Sequence, residues 1–290
     1  MRIVQRALPS KLLRSLGVRE LPLRMRRVTQ QAKTNRIYSG IAHIAAKYVD
    51  STSLTAHEYK VFSQNGEDGV LAEIFHRIGT TNRCFVEFGA EEGIECNAAF
   101  LANVCDWTGL FIEADDDSWE QLHSRYRFND QVSTLKSLVT PANIDQLLAD
   151  NAVPPEPDLL SIDIDGNDYW VWQAITGVKP RVVVIEYNSS IDPRAGLVQP
   201  YTTDAWDKSD FFGASLGALV CLAETKGYRL VHTELAGVNA FFVRDELAGH
   251  FSNVVVPTRS PNYYLRGGHH PADTQGRSYV AVDTVKMPEH

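Results

Sequence analysis

Apolar residues recur along the middle of the chain in two rhythms. Short, nearly continuous apolar runs at residues 84–88, 109–113, 131–135, 159–163 and 181–187 predict five strands. The Val-Val-Val-Ile run of the fifth suits a strand buried on both faces. Ahead of and between these runs, residues 70–78, 97–104, 116–126, 141–150 and 168–175 carry the wider spacing of helices, with Pro141 at a helix start. A further helix at 213–226 ends at Gly227. Strands at 228–232 and 239–243 then flank Glu234-Leu235-Ala236-Gly237 as an antiparallel hairpin. This order predicts an α/β fold: a Rossmann-like, doubly wound, mostly parallel seven-stranded sheet with a C-terminal antiparallel hairpin and an N-terminal helical extension.

The pattern also divides the chain. Residues 1–40 form a basic arm, 41–258 the α/β domain, and 259–290 a polar tail or lid rich in Gly, Pro and His. Apolar positions from Ile3 to Leu16 suit an amphipathic helix that Pro9 interrupts. Such an arm packs on a partner subunit in a homo-oligomer, or touches anionic lipid at the inner face of a membrane; both readings stay open.

Charge sharpens the division. Ten Lys or Arg and one acid lie within the first 36 residues, yet the whole chain carries −8, so a basic arm precedes a strongly acidic body. That balance argues against general nucleic-acid binding. No apolar run is long enough for a secretory signal or a membrane span. Four cysteines without CxxC spacing read as reduced thiols, and the expected location is cytoplasmic.

Candidate chemistry concentrates at strand ends. Phe85-Val86-Glu87-Phe88-Gly89-Ala90-Glu91-Glu92-Gly93 reads as a strand, an acid, a glycine loop and a helix. Gly89 and Gly93 give backbone freedom where a ligand approaches. The dinucleotide pattern G-x-G-x-x-G is absent, and Glu91 and Glu92 would repel a pyrophosphate. S-adenosylmethionine is a sulfonium and an ammonium without phosphate, so an acidic loop suits it. Glu113 ends the next strand and is placed to accept ribose hydroxyls. Gln64 and Asp68 precede the first strand, and cover the methionine end of the cofactor or simply cap a helix, as Ser63 or Asn65 would.

The fourth strand runs into Asp163-Ile164-Asp165-Gly166-Asn167-Asp168, and the fifth ends at Glu186-Tyr187-Asn188. Asp163, Asp165, Glu186 and Asn188 therefore meet at one sheet edge, where their hard oxygen ligands suit Mg²⁺. Asp163 alternatively faces the cofactor's ammonium, and Asp168 caps the following helix. Asp163, Asp165 and Glu186 are the candidate catalytic groups, since an acceptor hydroxyl needs a base or a metal ion to lose its proton. His232 reads as structural, and His269 or His270 reach the site only through a folded tail. No base is assigned.

Together, residues 63–69, Val86 to Gly89, Asn97, residues 107–113, 160–170, 184–188, 213–216 and 237–242 resemble the FkbM-like branch of class I S-adenosylmethionine-dependent methyltransferases, over residues 62–247. The acid-rich turn is also similar to that of metal-dependent macrocin-type O-methyltransferases. The resemblance implies O-methylation of a sugar, a sugar-containing small molecule or a glycan. Two other readings remain: a metal-dependent glycosyltransferase using Asp163-Ile164-Asp165 as its DxD, and a non-catalytic scaffold with the methyltransferase fold. An EF-hand is excluded, because its sixth and twelfth positions would be Asp168 and Ala174.

Overall fold

The computed structural model describes residues 53–262 and 270–282. Every described residue belongs to one compact unit within Tyr38–His290. The basic arm and His269 thus lie outside the described residues.

A 3-10 turn at Leu54–His57 precedes helix α1 (Glu67–Ile78). Strand β1 (Cys84–Phe88), α2 (Ala99–Val104), β2 (Thr108–Glu113), α3 (Asp116–Tyr126) and β3 (Val132–Lys136) follow. Next come α4 (Ile144–Asp150), β4 (Leu159–Ile162), α5 (Asp168–Ala174), β5 (Val182–Glu186) and the short β6 (Leu197–Val198). The chain closes with α6 (Leu216–Lys226), β7 (Tyr228–Thr233), β8 (Asn239–Arg244), a 3-10 segment at Asp245–Phe251 and β9 (Val280–Ala281).

Seven strands form one sheet in the order β3-β2-β1-β4-β5-β8-β7. The first five are parallel, and β8 runs antiparallel to both β5 and β7. The order reverses at β1 and β4, the switch point where ligands bind in open α/β sheets. The central strands are buried on both faces because helices cover each, as their unbroken apolar runs require.

Helix ends follow local chemistry. Ser215 and Asp115 cap α6 and α3, accepting from Ala218 and Ser118 N–H. Residues 213–215 therefore precede α6 rather than extend it. Gly66 holds the cap position of α1 without a side-chain bond, while Ser63, one of the two candidate caps with Asn65, accepts from the first-turn Asp68 N–H through Oγ at 3.1 Å. Gly227 closes α6 at φ 77°.

Buried Asp158 ties the far edge of the sheet together. It accepts from Thr81, Asn82 and Arg83 N–H and from Arg181 Nη1 at 2.8 Å. Arg181 also covers the last carbonyls of α1, donating to Ile78 and Gly79 C=O. Burial alone would raise the Asp158 pKa, but Arg181 and these N–H groups hold it below the usual range.

All four cysteines are free. No described helix is long and apolar enough to cross a membrane.

Candidate functional site

A cavity of about 880 Å³ opens at the carboxyl ends of β1, β2, β4 and β5. Gln64, Glu87, Gly89, Glu113, Asp163, Asp165 and Glu186 line it. Three other sequence candidates do not. Asp68 spends Oδ2 on the N–H groups of Val61, Phe62 and Ser63, which organises the approach to α1. Gly93 sits at φ 71°, where an added Cβ would meet Leu122 Cδ1 at 2.7 Å, so its smallness serves packing against α3. Asn188 is fully buried; Oδ1 accepts from Ser190 N–H while Nδ2 donates to Asp210 and Phe212 C=O. It is therefore no member of the acidic cluster.

Gly89 occupies the tightest point of the site. At φ 69°, its missing Cβ would lie 1.6 Å from Asp163 C=O. The glycine thus lets the β1 loop touch the end of β4, and brings Glu87 and Asp163 into one wall. Its N–H donates to Ile112 C=O at 3.0 Å.

Two carboxylates are held by backbone donors. Glu87, 3% exposed, accepts from Asn97 and Ala98 N–H, both at 2.8 Å, at the entry to α2. Burial pushes its pKa up to about 7, against those hydrogen bonds. Glu113 accepts from Ala114 and Asp115 N–H at 2.8 Å and from Glu91 N–H at 2.7 Å. A carboxylate offers about four acceptor positions, so Glu113 keeps capacity for a ligand hydroxyl. Glu91 reaches it from a left-handed backbone at φ 45°, uncommon for a non-glycine residue.

The turn after β4 is built by Asp168, which accepts from Ile164 and Gly166 N–H, both at 2.9 Å. Burial raises its pKa to about 6. Asp163 and Asp165 are thereby presented to the cavity. Each of Asp163, Asp165 and Glu186 offers an oxygen, and these oxygens lie within 4.8 Å of one another. Burial, then Asp165, Asp168, Glu91 and Glu87, drive the Asp163 pKa well up. Burial and Glu113 raise Asp165, with His270 and Lys208 opposing. A wall that resists further negative charge is a wall that favours a cation.

His232 does not reach the cavity. It is fully buried with Nε2 3.0 Å from Glu58 Oε1, and burial, Arg259 and His57 lower its pKa to about 3.

The loop between β6 and α6 was not singled out in the sequence, yet Gln199, residues 201–206 and Lys208 form much of the cavity wall. Tyr201 and Trp206 standing in a polar stretch were the available signal. His270 joins that wall, 4.7 Å edge-on to the Trp206 ring.

No protein-family model matches the chain, and no curated protein does. Among solved structures, the N-terminal domain of EvdMO1 with SAH bound is 14% identical at TM-score 0.42, over 63% of this chain and 82% of that one. An S-adenosylmethionine-dependent methyltransferase from Aquifex aeolicus is 12% identical at TM-score 0.38, over 67% and 100%. A putative caffeoyl-CoA O-methyltransferase from Staphylococcus aureus is 12% identical at TM-score 0.44, over 72% and 100%. The strand order and switch-point cavity define the architecture. The fold is a Rossmann-like, doubly wound, mostly parallel seven-stranded sheet closed by an antiparallel hairpin. The narrower resemblance to the FkbM-like branch is not upheld: the similar structures range over precorrin, sarcosine dimethylglycine and fibrillarin proteins.

Proposed function

We propose that the protein is an S-adenosylmethionine-dependent methyltransferase that O-methylates a sugar or a sugar-containing molecule, assisted by Mg²⁺. The carrying observation is the carboxylate wall of Glu87, Glu91, Glu113, Asp163, Asp165 and Glu186 at the switch point. Such a wall favours a cationic, phosphate-free ligand.

When bound, S-adenosylmethionine supplies a methyl group activated on its sulfonium. Glu113 holds the ribose hydroxyls, its own geometry set by three backbone donors. Asp163 faces the ammonium, a charge that offsets the cost of burying the carboxylate. Gly89 fixes how closely the β1 loop and the end of β4 approach within this wall. Asp165 and Glu186 take the acceptor hydroxyl's proton or hold Mg²⁺, whose chemistry would be to lower the hydroxyl pKa. Asp163 serves either the ammonium or the metal, and the three carboxylates form the oxygen donor set that Mg²⁺ prefers.

The glycosyltransferase reading fares worse. A nucleotide-sugar diphosphate would face these same carboxylates, with Lys208 and His270 as the basic groups among the described lining residues.

Calorimetry with S-adenosylhomocysteine, followed by mass spectrometry of sugar acceptors for the gain of one methyl group, tests the proposal. Absence of cofactor binding refutes it. Chelation with EDTA is expected to abolish turnover while sparing cofactor binding, and unchanged turnover removes the metal.

A further inference from the structure

The last described segment, residues 270–282, is fastened along the loop that closes the cavity. β9 pairs antiparallel with β6, and Val282 N–H donates to Gly196 C=O at 2.7 Å. Asp210 N–H donates to Pro271 C=O at 2.8 Å, and Asp273 N–H to Asp210 Oδ1 at 2.7 Å. Arg277 makes the central clasp. Its Nη2 reaches Asp207 and Ser209 Oγ, both at 2.8 Å, and Asp273 at 2.9 Å. The guanidinium lies 4.5 Å from the Phe211 ring centre.

The clasped loop presents an unusual surface to the cavity. Tyr201 is 46% exposed although it lines a concave site. Trp206 is held in place, its Nε1 donating to Ser209 C=O at 2.9 Å and its ring packing 5.1 Å from Phe212. Asn167 clips the same loop to the turn after β4, donating to Thr202 C=O at 2.7 Å. Thr203, Asp204 and Lys208 supply hydroxyl, carboxylate and ammonium groups along the wall. Aromatic surface beside mixed polar groups matches a ring with an apolar C–H face and a rim of hydroxyls. This wall also carries the two basic residues of the described lining, Lys208 and His270, so it differs in character from the carboxylate wall beside it.

We propose that this wall is a pyranose-binding subsite, with Tyr201 and Trp206 as its aromatic platform and Arg277 as the positioning residue that holds it. Its role as the acceptor site rests on the methyltransferase reading; the sugar contact does not. Hydrogen bonds to Asp207, Ser209 and Asp273 pre-organise the loop, so the ligand meets a formed surface rather than ordering one.

Saturation-transfer NMR on the full chain, using methyl β-D-glucopyranoside and methyl β-D-galactopyranoside with S-adenosylhomocysteine present, tests this. One or both glycosides are expected to give signal with the wild type. Tyr201→Ala and Arg277→Ala are expected to weaken sugar binding about five- to tenfold, the loss of one aromatic face. Tyr201→Phe should retain it and Arg277→Lys recover part of it, while cofactor affinity by calorimetry stays within about twofold. Tyr201 is exposed, so its variants read out even if Arg277→Ala misfolds. No wild-type signal, or undiminished signal in Tyr201→Ala, overturns the subsite. Tyr201-dependent sugar binding without cofactor binding leaves the subsite standing and removes the methyltransferase reading.

Discussion

Replacing Gly89 with alanine tests whether the close approach of two strand ends makes the cofactor site. The new Cβ would lie 1.6 Å from Asp163 C=O, where real contacts essentially never fall below 3.0 Å. The obstruction is backbone on both sides, so no side-chain rotation relieves it. The β1 loop and the end of β4 must separate by more than an ångström. A left-handed φ for alanine costs about 1 kcal/mol, and overpacking adds about 1–3 kcal/mol. The total of about 2–4 kcal/mol corresponds to a fall in Tm of roughly 4–16 °C for a domain of this size. The separation also pulls Asp163 from Glu87, so cofactor affinity should fall by about 100-fold, the scale of an ångström misplacement. Gly93→Ala is the control. Its obstacle is the movable tip of Leu122, and Gly93 does not line the cavity. That variant should lose stability but keep S-adenosylhomocysteine affinity within about threefold. Calorimetry and thermal melting measure both. Wild-type affinity in Gly89→Ala, with Tm unchanged, would refute the reasoning.

Glu113→Ala should weaken S-adenosylhomocysteine binding about 10- to 150-fold, the value of a charge-assisted hydrogen bond, and calorimetry measures it. Burial raises Glu234 to about 8 and Glu87 to about 7, above their ordinary 4.5. Their stabilising contribution is complete below that ordinary value and is lost as pH rises through 7 to 8. Denaturant titration should therefore show about 2–4 kcal/mol less stability at about pH 9 than at about pH 6; an equal or higher value at pH 9 contradicts this. Arg181→Met leaves Asp158 buried without its ion partner, costing about 3–5 kcal/mol in a chemical melt. Cofactor affinity should survive, because Arg181 sits at the opposite edge of the sheet.

The sheet was legible because burial on two faces demands unbroken apolar runs, and residues 181–187 could hardly be anything else. The hairpin from Tyr228 to Arg244 was equally plain. β6 and β9 are two residues each and carry no periodicity. The site was legible by location and less so by direction. Sequence brings Asp163, Asp165 and Glu186 to one edge, but it does not state which way a side chain turns. Asp68 and Asn188 were placed in the site for their chemistry, and the structure turns both toward backbone groups. Gly93 lies outside the cavity lining, and a glycine needed for packing looks identical in sequence to one needed for a ligand. Residues 199–208 have loop composition, and their place over the cavity depends on a segment some 70 residues later.

That dependence sets an order in time. Every strand of the seven-stranded sheet, and every residue of the carboxylate wall, precedes residue 245 in the chain. Arg277 and β9 leave the ribosome after all of them. A nascent chain can therefore complete the carboxylate wall first, while the loop around Tyr201 and Trp206 waits for its clasp. The carboxylate wall is a product of the fold's middle, and the wall carrying Tyr201 and Trp206 is made last.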